Sequence, residues 1–305
     1  MEPTGKQLSG RVLNLGSINL DHVYSVPRFV HAGETLACTR YTRGAGGKGF
    51  NQSIALARAG MSTRHVGAVG TDGTSLLDML RVEGVDVSAV RVISEPTGHA
   101  IIQVTPDGEN CILICSGANG ALQWADVSAA INAGGAGDRL LCQNETELVS
   151  EAISLAHDRG YEIWFNPAPM TAAVKQYPLS QVHGLIINHS EGTQLTGETE
   201  PQAITTHLSQ QYPRMHVVLT LGANGVRYAR GAVGNTFHAP LVKAVDSTAA
   251  GDTFVGYLLA GLGSGSEIAD ALARANAAAA LAVTRHGAAQ SIPTSREVDA
   301  FMRSA

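Results

Sequence analysis

Two short segments of this chain bring together residues that could do chemistry. The first is Ala244-Val245-Asp246-Ser247-Thr248-Ala249-Ala250-Gly251-Asp252-Thr253-Phe254, in which small residues run straight into an apolar helical pattern. At the start of such a helix the backbone N–H groups of Ala249, Ala250, Gly251 and Asp252 lack intrahelical acceptors. Together with the helix dipole they attract an anion, which makes a phosphate site. A carboxylate on this turn, Asp252, would repel a polyphosphate unless it served a metal or took up a proton. Placed there, it can accept the proton of a hydroxyl as that hydroxyl attacks phosphorus. A helix N-cap explains the same aspartate, because Asp is favoured at that position.

The second segment, Gly44-Ala45-Gly46-Gly47-Lys48-Gly49, matches G-x-G-x-x-G and precedes a helical pattern. A dinucleotide fingerprint follows an apolar strand, whereas Arg40-Tyr41-Thr42-Arg43 stand here. Nor is it a P-loop, since Gly49 occupies the place where Ser or Thr must follow the lysine. What remains is backbone that a ligand can approach closely, with Lys48, Asn51 and Gln52 as polar groups at a helix start. A tight turn accounts for the glycines but not for Lys48 and Asn51. The 11 histidines show neither H-E-x-x-H nor Cys/His pairing at ligand spacing, so no zinc site is expected and most read as surface or capping groups. Trp124 and Trp164 read as core or surface anchors, and Asp72 as a turn or cap residue.

The elements that must hold these segments follow from hydrophobic patterning. Short apolar runs at Val12–Leu15, His65–Val69, Ile163–Asn166, Leu185–Asn188 and Val217–Leu221 alternate with helical patterns near 49–59, 75–83, 147–158 and 201–210. That alternation predicts an α/β fold with a parallel sheet and helices on both faces. Residues 21–43 and 98–116 break the rhythm with strand-like runs. Ile101–Val104 and Asn110–Ile114 flank the turn Pro106-Asp107-Gly108 and read as a hairpin, and both excursions are expected in a small β lid on one domain spanning 1–305. An Ala-rich helix from Ser266, carrying Ile268, Leu272, Ala275, Ala279 and Val283, packs closely on the helix opened by Gly251.

Composition narrows the partners. Only 15% of the residues are charged, 44% are hydrophobic, and 21 Lys+Arg against 26 Asp+Glu give a net charge of −5 with no basic run, so a nucleic-acid partner is not expected. No stretch has the roughly 20 apolar residues of a membrane span, and the N-terminal residues lack the pattern of an export signal. The four cysteines form no C-x-x-C pair; Cys111 and Cys115 on one strand would stand about 13 Å apart, beyond disulfide reach, so reduced thiols and a cytoplasmic location are expected.

These segments occur within a longer ordered series: Gly16-Ser17-Ile18-Asn19-Leu20-Asp21, Gly46 to Gln52, Gly67 to Gly73, Gln143-Asn144-Glu145, Asn166-Pro167-Ala168-Pro169, Asn188-His189-Ser190-Glu191, Thr220 to Val226, Asp246 to Phe254, and Val283 to Ala288. In order and spacing the series resembles the ribokinase-like (PfkB-type) carbohydrate kinases. The resemblance implies a ribokinase-like fold, a central mostly parallel sheet with helices on both faces plus a β lid, and a phosphotransferase acting on a sugar alcohol group. It implies Asp252 as catalytic base, with Ala249, Ala250 and Gly251 in the anion hole. Asn19, Asp21, Gly46, Gly47, Lys48, Asn51 and Glu145 match sugar-binding positions. Asn188 and Glu191 match the N-x-x-E element that positions Mg²⁺, largely through water, and the triphosphate. Thr220, Gly222, Gly225, Gly251 and Asn276 match nucleotide-binding positions. Asp246, Thr248, Ala282, Arg285, Gly287 and Ser291 match the loops that hold a monovalent cation, normally K⁺. Lid-to-lid homodimers are common in the family.

The resemblance implies ATP and a small sugar as substrates, with D-ribose, phosphorylated on O5, as the first expectation. Deoxyribose, a fructose-type sugar and an adenosine-type nucleoside remain alternatives, as does a non-catalytic sugar-binding regulator. Arg43, Ala45 and Phe50 depart from the usual pattern around the glycine loop, and Asn144 stands beside an expected sugar contact. Phe50 is expected to pack beneath the pocket, while Asn144 could alter its extent.

Overall fold

The computed structural model describes residues 10–304. The expectation of no export signal falls largely on residues 1–9 and lies outside the described residues. In chain order the elements are β1 (Val12–Leu15), β2 (Asn19–Ser25), β3 (Arg40–Gly46), α1 (Lys48–Arg58), β4 (Thr63–Gly70), α2 (Thr74–Val82), β5 (Asp86–Ile93), β6 (Gly98–Val104), β7 (Asn110–Cys115), α3 (Trp124–Asn132) and β8 (Arg139–Gln143). There follow α4 (Val149–Asp158), β9 (Glu162–Asn166), β10 (Gly184–Asn188), α5 (His189–Thr196), α6 (Pro201–Gln211), β11 (His216–Thr220), β12 (Val226–Arg230), β13 (Val233–Phe237), α7 (Ala250–Gly263), α8 (Ile268–Ala282) and α9 (Ser295–Ser304).

Nine strands form the main sheet in the order β13-β12-β11-β10-β9-β8-β1-β4-β5. All neighbours from β11 to β5 pair in parallel, and only the β11–β12 and β12–β13 contacts are antiparallel. Alternate residues of each inner strand are buried on opposite faces. Leu13, Leu140, Ile163, Leu185 and Val217 enter one core, while Val12, Leu141, Trp164, Ile186 and Val218 enter the other. Burial on both faces is what helix-covered parallel strands require. It also explains why those strands read as continuous apolar runs. Trp164 is accordingly buried, whereas Trp124 is half exposed at the start of α3.

The second sheet has four strands in the order β3-β2-β6-β7. The β6–β7 pairing around the Pro106-Asp107-Gly108 turn is the expected hairpin. It leaves β7 exposed along its whole length at the sheet edge. Cys111 and Cys115 both lie on β7, and all four cysteines are free. Asp72 accepts the N–H (3.0 Å) and hydroxyl (2.7 Å) of Thr97, fastening the turn after β4 to the entry of β6. No helix among the described residues is long and apolar enough to cross a membrane.

Chain direction makes this sheet a platform. Leaving β1, the chain goes first to β4 and β5 on one side and later to β8 and its neighbours on the other, so the strand order reverses between β1 and β8. The crevice outside the carboxyl ends at such a switch point is where open α/β sheets bind ligands. Helices α1 and α7 lie together on one face and both begin at that end. Their close approach depends on Gly256, where a Cβ would lie 2.4 Å from Ala55 Cβ and 2.8 Å from backbone atoms of Ala55 and Leu56. Backbone cannot yield cheaply, so Gly256→Ala is expected to destabilise the protein by about 1–3 kcal/mol. Chemical denaturation of the variant beside the native chain measures this.

Candidate active site

The glycine loop docks α1 against the end of β1. Gly47 has φ +92°, a left-handed conformation, and a Cβ there would crowd the backbone of Ser17 and Asn19. A Cβ on Gly46 would fall 2.1 Å from the Asp21 carboxylate, so the glycine leaves room for that side chain. Strand β3, which leads into the loop, belongs to the small sheet and its first four residues are exposed. This removes the dinucleotide reading on structural grounds.

Around this loop the sequence-expected residues converge. Asn19 is buried, and its Oδ1 accepts from Asn119 Nδ2 at 2.7 Å. Asn119 in turn accepts the Ile18 N–H at 3.0 Å. Glu145 Oε2 accepts the Lys48 N–H at 3.0 Å and the Ser17 hydroxyl, so this expected sugar contact also closes the open end of α1. Burial, reinforced by the charge of Glu145, raises the Asp21 carboxyl to about 6. Burial works against the Lys48 ammonium, but Asp252, Glu145 and Glu191 outweigh it and hold the group above the ordinary lysine value.

Helix α7 supplies the other half. Its N-cap is Ala249, at φ 59°, an uncommon left-handed alanine, and no side chain caps the helix. Asp252 lies two residues beyond Ala250 and is not the cap. Instead its buried carboxylate accepts Asn51 Nδ2 on Oδ2 (3.0 Å) and Gln52 Nε2 on Oδ1 (2.9 Å). The Ala250 N–H differs from expectation: the αL turn folds it back onto Ser247 O at 3.2 Å. Thr253 N–H donates to Ala249 O at 2.8 Å. Those of Ala249, Gly251 and Asp252 keep no acceptor among the described residues, so three donors, at the positive end of the helix dipole, remain for an anion.

Across the opening, Asn188 and Glu191 form a reciprocal capping box at the start of α5. Asn188 Oδ1 accepts the Glu191 N–H and Glu191 Oε2 accepts the Asn188 N–H, each at 2.8 Å. Burial raises the Glu191 carboxyl above its ordinary value against the pull of that N–H and of Lys48. A cavity of about 200 Å³ is lined by Lys48, Asn188, Glu191, Thr220, Gly251 and Asp252, among others. It adjoins a mainly apolar cleft of about 310 Å³ that shares Thr220, Ser247 and Gly251 and reaches Gly222, Gly225, Leu241 and Asn276. Asn276 is fixed there by donating to Phe237 O at 3.1 Å.

The expected cation loops meet through one carboxylate. Asp246 accepts the Thr248 N–H (2.9 Å) and hydroxyl (2.6 Å) on one oxygen and the Gly287 N–H (2.9 Å) on the other. Burial would raise its carboxyl, yet these donors hold it below the usual carboxylate value. Ala282 O accepts the Arg285 N–H, the Ser291 hydroxyl donates to Ala288 O, and the Arg285 guanidinium turns away to Glu297 at 2.7 Å. Among the described residues no cluster of three or more His, Cys, Asp or Glu side chains could cage a metal ion.

A family model for pfkB family carbohydrate kinases matches residues 10–295. The chain belongs to that family. It is 37% identical to the ribokinase of Haemophilus influenzae over 300 residues, covering 95% of this chain and 98% of the other. Among solved structures, the Cryptococcus neoformans ribokinase in complex with ADP superposes with a TM-score of 0.84 at 33% identity, covering 96% of this chain and 99% of that one. The Arabidopsis thaliana ribokinase complexed with ribose and ATP gives 0.87 at 28% identity, covering 97% and 99%. This pfkB-family chain has the expected ribokinase-like fold, and it is a phosphotransferase acting on an alcohol group of a sugar.

Two positions that could have reshaped the pocket of this kinase line neither cavity. Phe50 is fully buried among Ile18, Leu20 and Ile54 beneath the glycine loop. Asn144 spends its amide on Pro169 O (2.7 Å) and the Tyr177 hydroxyl (3.0 Å). Sequence reasoning missed Asn119, whose one signal is its place between glycines just after β7. It also missed His65, which is buried and whose imidazole burial lowers to about 4. Gln143 and Asn166 stand inside quoted motifs, but only the fold shows that they face Gln52.

Proposed function

We propose that this chain is an ATP-dependent kinase that transfers the γ-phosphate to the primary hydroxyl of a small sugar, with D-ribose as acceptor and ribose 5-phosphate and ADP as products. One observation carries the reading: a buried carboxylate, held on both oxygens by amides, stands in the same cavity as the acceptor-free N–H groups of a helix N-terminus. Base and anion hole side by side are what phosphoryl transfer to a hydroxyl asks of a protein.

In this reading Asp252 takes the proton from the sugar O5 as O5 bonds to the γ-phosphorus. The bond from that phosphorus to the β-phosphate bridging oxygen breaks, and ADP leaves with the bond electrons. Gly251 and Asp252 N–H groups receive the charge on the transferring group, with Ala249 and Ala250 setting the turn that aims them. Asn19, Asp21, Lys48, Asn51 and Glu145 orient the sugar over Gly46 and Gly47. Asn51 Oδ1 is buried without a partner, which suits a hydroxyl donor. The adenine side of ATP occupies the apolar cleft beside Gly222, Gly225 and Asn276.

The charge balance around Lys48 bears on the cofactors. Asp252, Glu145 and Glu191 face this single ammonium, so a bare polyphosphate would enter an excess of negative charge. Glu191, with one oxygen committed to Asn188, has the other to offer Mg²⁺ through water. Bound with ATP, Mg²⁺ would neutralise phosphate charge. The paired loops at Asp246–Thr248 and Ala282–Ser291 would hold K⁺ by their carbonyl oxygens as an activator. The β7 edge, with Leu113 65% and Ile114 57% exposed, supports a homodimer formed through lids built from 21–43 and 98–116. The free thiols fit a cytoplasmic setting.

ADP release with Mg²⁺-ATP and a panel of sugars and nucleosides tests the proposal. Turnover that depends on ribose and rises with K⁺ is expected; turnover with a nucleoside alone would overturn the acceptor, and none with any acceptor would overturn the activity. Asp252→Asn is expected to bind ATP nearly as the native chain does while kcat falls at least about 10²-fold. For Asp21 the raised value sets the sign: its carboxylate accepts sugar hydroxyls when ionised, so the KM for sugar should rise as pH falls through about 6 while the KM for ATP stays level. Asp21→Asn should remove that pH dependence, and a slope that survives the change would clear Asp21 of the role.

A further inference from the structure

Behind Asp252 lies a chain of buried amides that the reaction as described does not use. Gln52 Nε2 donates to Asp252 Oδ1 (2.9 Å) and to Asn166 Oδ1 (3.1 Å), and Gln52 Oε1 accepts from Gln143 Nε2 at 2.6 Å. Gln143 Nε2 also donates to Asn14 Oδ1 at 2.9 Å. Asn14 Nδ2 donates to Gly49 O and to Ser53 Oγ, each at 2.8 Å. Ser53 meets His65 Nδ1 at 2.8 Å, and His65 Nε2 faces Gly16 O at 3.0 Å. Asn14, Gln52, Ser53, His65 and Gln143 are all fully buried.

An amide can be turned end for end at little steric cost, so its direction must come from its neighbours. Here two backbone carbonyls, which only accept, set every direction. Gly49 O fixes the Asn14 NH₂, so Asn14 presents its oxygen to Gln143. Gln143 must then present its NH₂, and Gln52 must accept with its oxygen. From the other side, Ile186 O fixes the Asn166 NH₂ at 2.9 Å, so Asn166 also presents an oxygen to Gln52. Both ends leave Gln52 a single orientation, with its NH₂ on Asp252. The arrangement leaves Gln143 Oε1 buried without a partner, and an unmade buried bond in a native core calls for a reason.

We infer that Gln52 is a positioning residue for phosphoryl transfer, held by Gln143 and Asn14 so that its N–H fixes the Asp252 carboxylate toward the acceptor hydroxyl. The inference rests on the reading of Asp252 as base. Gln52 touches neither of the two cavities, so its loss acts on the chemical step through Asp252 and not on substrate binding. Gln143 makes no bond to Asp252 and acts one bond further back, through Gln52.

Steady-state kinetics of Gln52→Leu and Gln143→Leu, with thermal unfolding of each, tests this. Misplacement of the base once this bond is gone predicts kcat lower by about 10- to 100-fold for Gln52→Leu. The KM values for sugar and ATP should remain within about two-fold, and Gln143→Leu should show a smaller loss of the same kind. An unchanged kcat in Gln52→Leu, or a loss matched by rising KM values, would overturn the positioning role. If Gln52→Leu fails to fold, Gln143→Leu decides by the same split between kcat and KM. Asp252→Asn assayed alongside separates the two readings: normal turnover there removes the base itself, whereas a collapse there with native kcat in Gln52→Leu removes only the role of Gln52.

Discussion

A buried carboxylate is the constraint on which this structure turns. An ionised aspartate taken out of water is costly unless it is paired and hydrogen-bonded. Asp252 meets that demand with two amides near the start of α1. The bonds require α1 and α7 to start at the same place, and the helices can do so only because Gly256 lets α7 lie on Ala55. Glycines at the head of α1 serve the same end, since Gly49 seats the helix against Gly16 of the β1–β2 turn. Polar chemistry at one point thus explains small residues spread over two helices and a loop.

The sheet provides the other half of the positioning. Gln143, Asn166, Asn188 and Thr220 are the last residues of β8, β9, β10 and β11, in registers that put Gln143 beside Asn166 and Asn188 beside Thr220. Parallel strands therefore deliver four polar side chains to one edge of an otherwise apolar core, at the switch point between β1 and β8. The second sheet grows out of the same edge through β2 and β6, which carry Asn19 and Gly98 side by side. Asp21 on β2 stands over Gly46, so movement of that sheet would carry with it the carboxylate proposed to bind the sugar. A cover that excludes water as it closes suits a reaction in which water competes as acceptor.

Much of this was legible in the chain. Inner strands buried on both faces read as apolar runs, and the small residues before Phe254 marked the open helix end. What stayed hidden depended on distance in sequence. The cap reading of Asp252 falls only when the N-cap is seen at Ala249 and the Asp252 carboxylate at Asn51 and Gln52, some 200 residues away. The Ala250 N–H was expected to be free, but the left-handed Ala249 turns it onto Ser247. The Arg285 guanidinium is taken by Glu297 on α9, a helix with no motif of its own. Strand β12 is interrupted by Arg227 and ends on Arg230, and β13, at the sheet edge, is largely exposed, so neither shows the apolar run that betrays a buried strand.

A crystal structure of the kinase with ribose and a non-hydrolysable ATP analogue addresses the central claim most directly. The expected result is the ribose primary hydroxyl oxygen within hydrogen-bond reach of Asp252, about 2.6–3.2 Å, and in line with a γ-phosphorus whose oxygens meet the N–H groups of Gly251 and Asp252. A sugar that presents another hydroxyl, or a γ-phosphate lodged away from the start of α7, would contradict it.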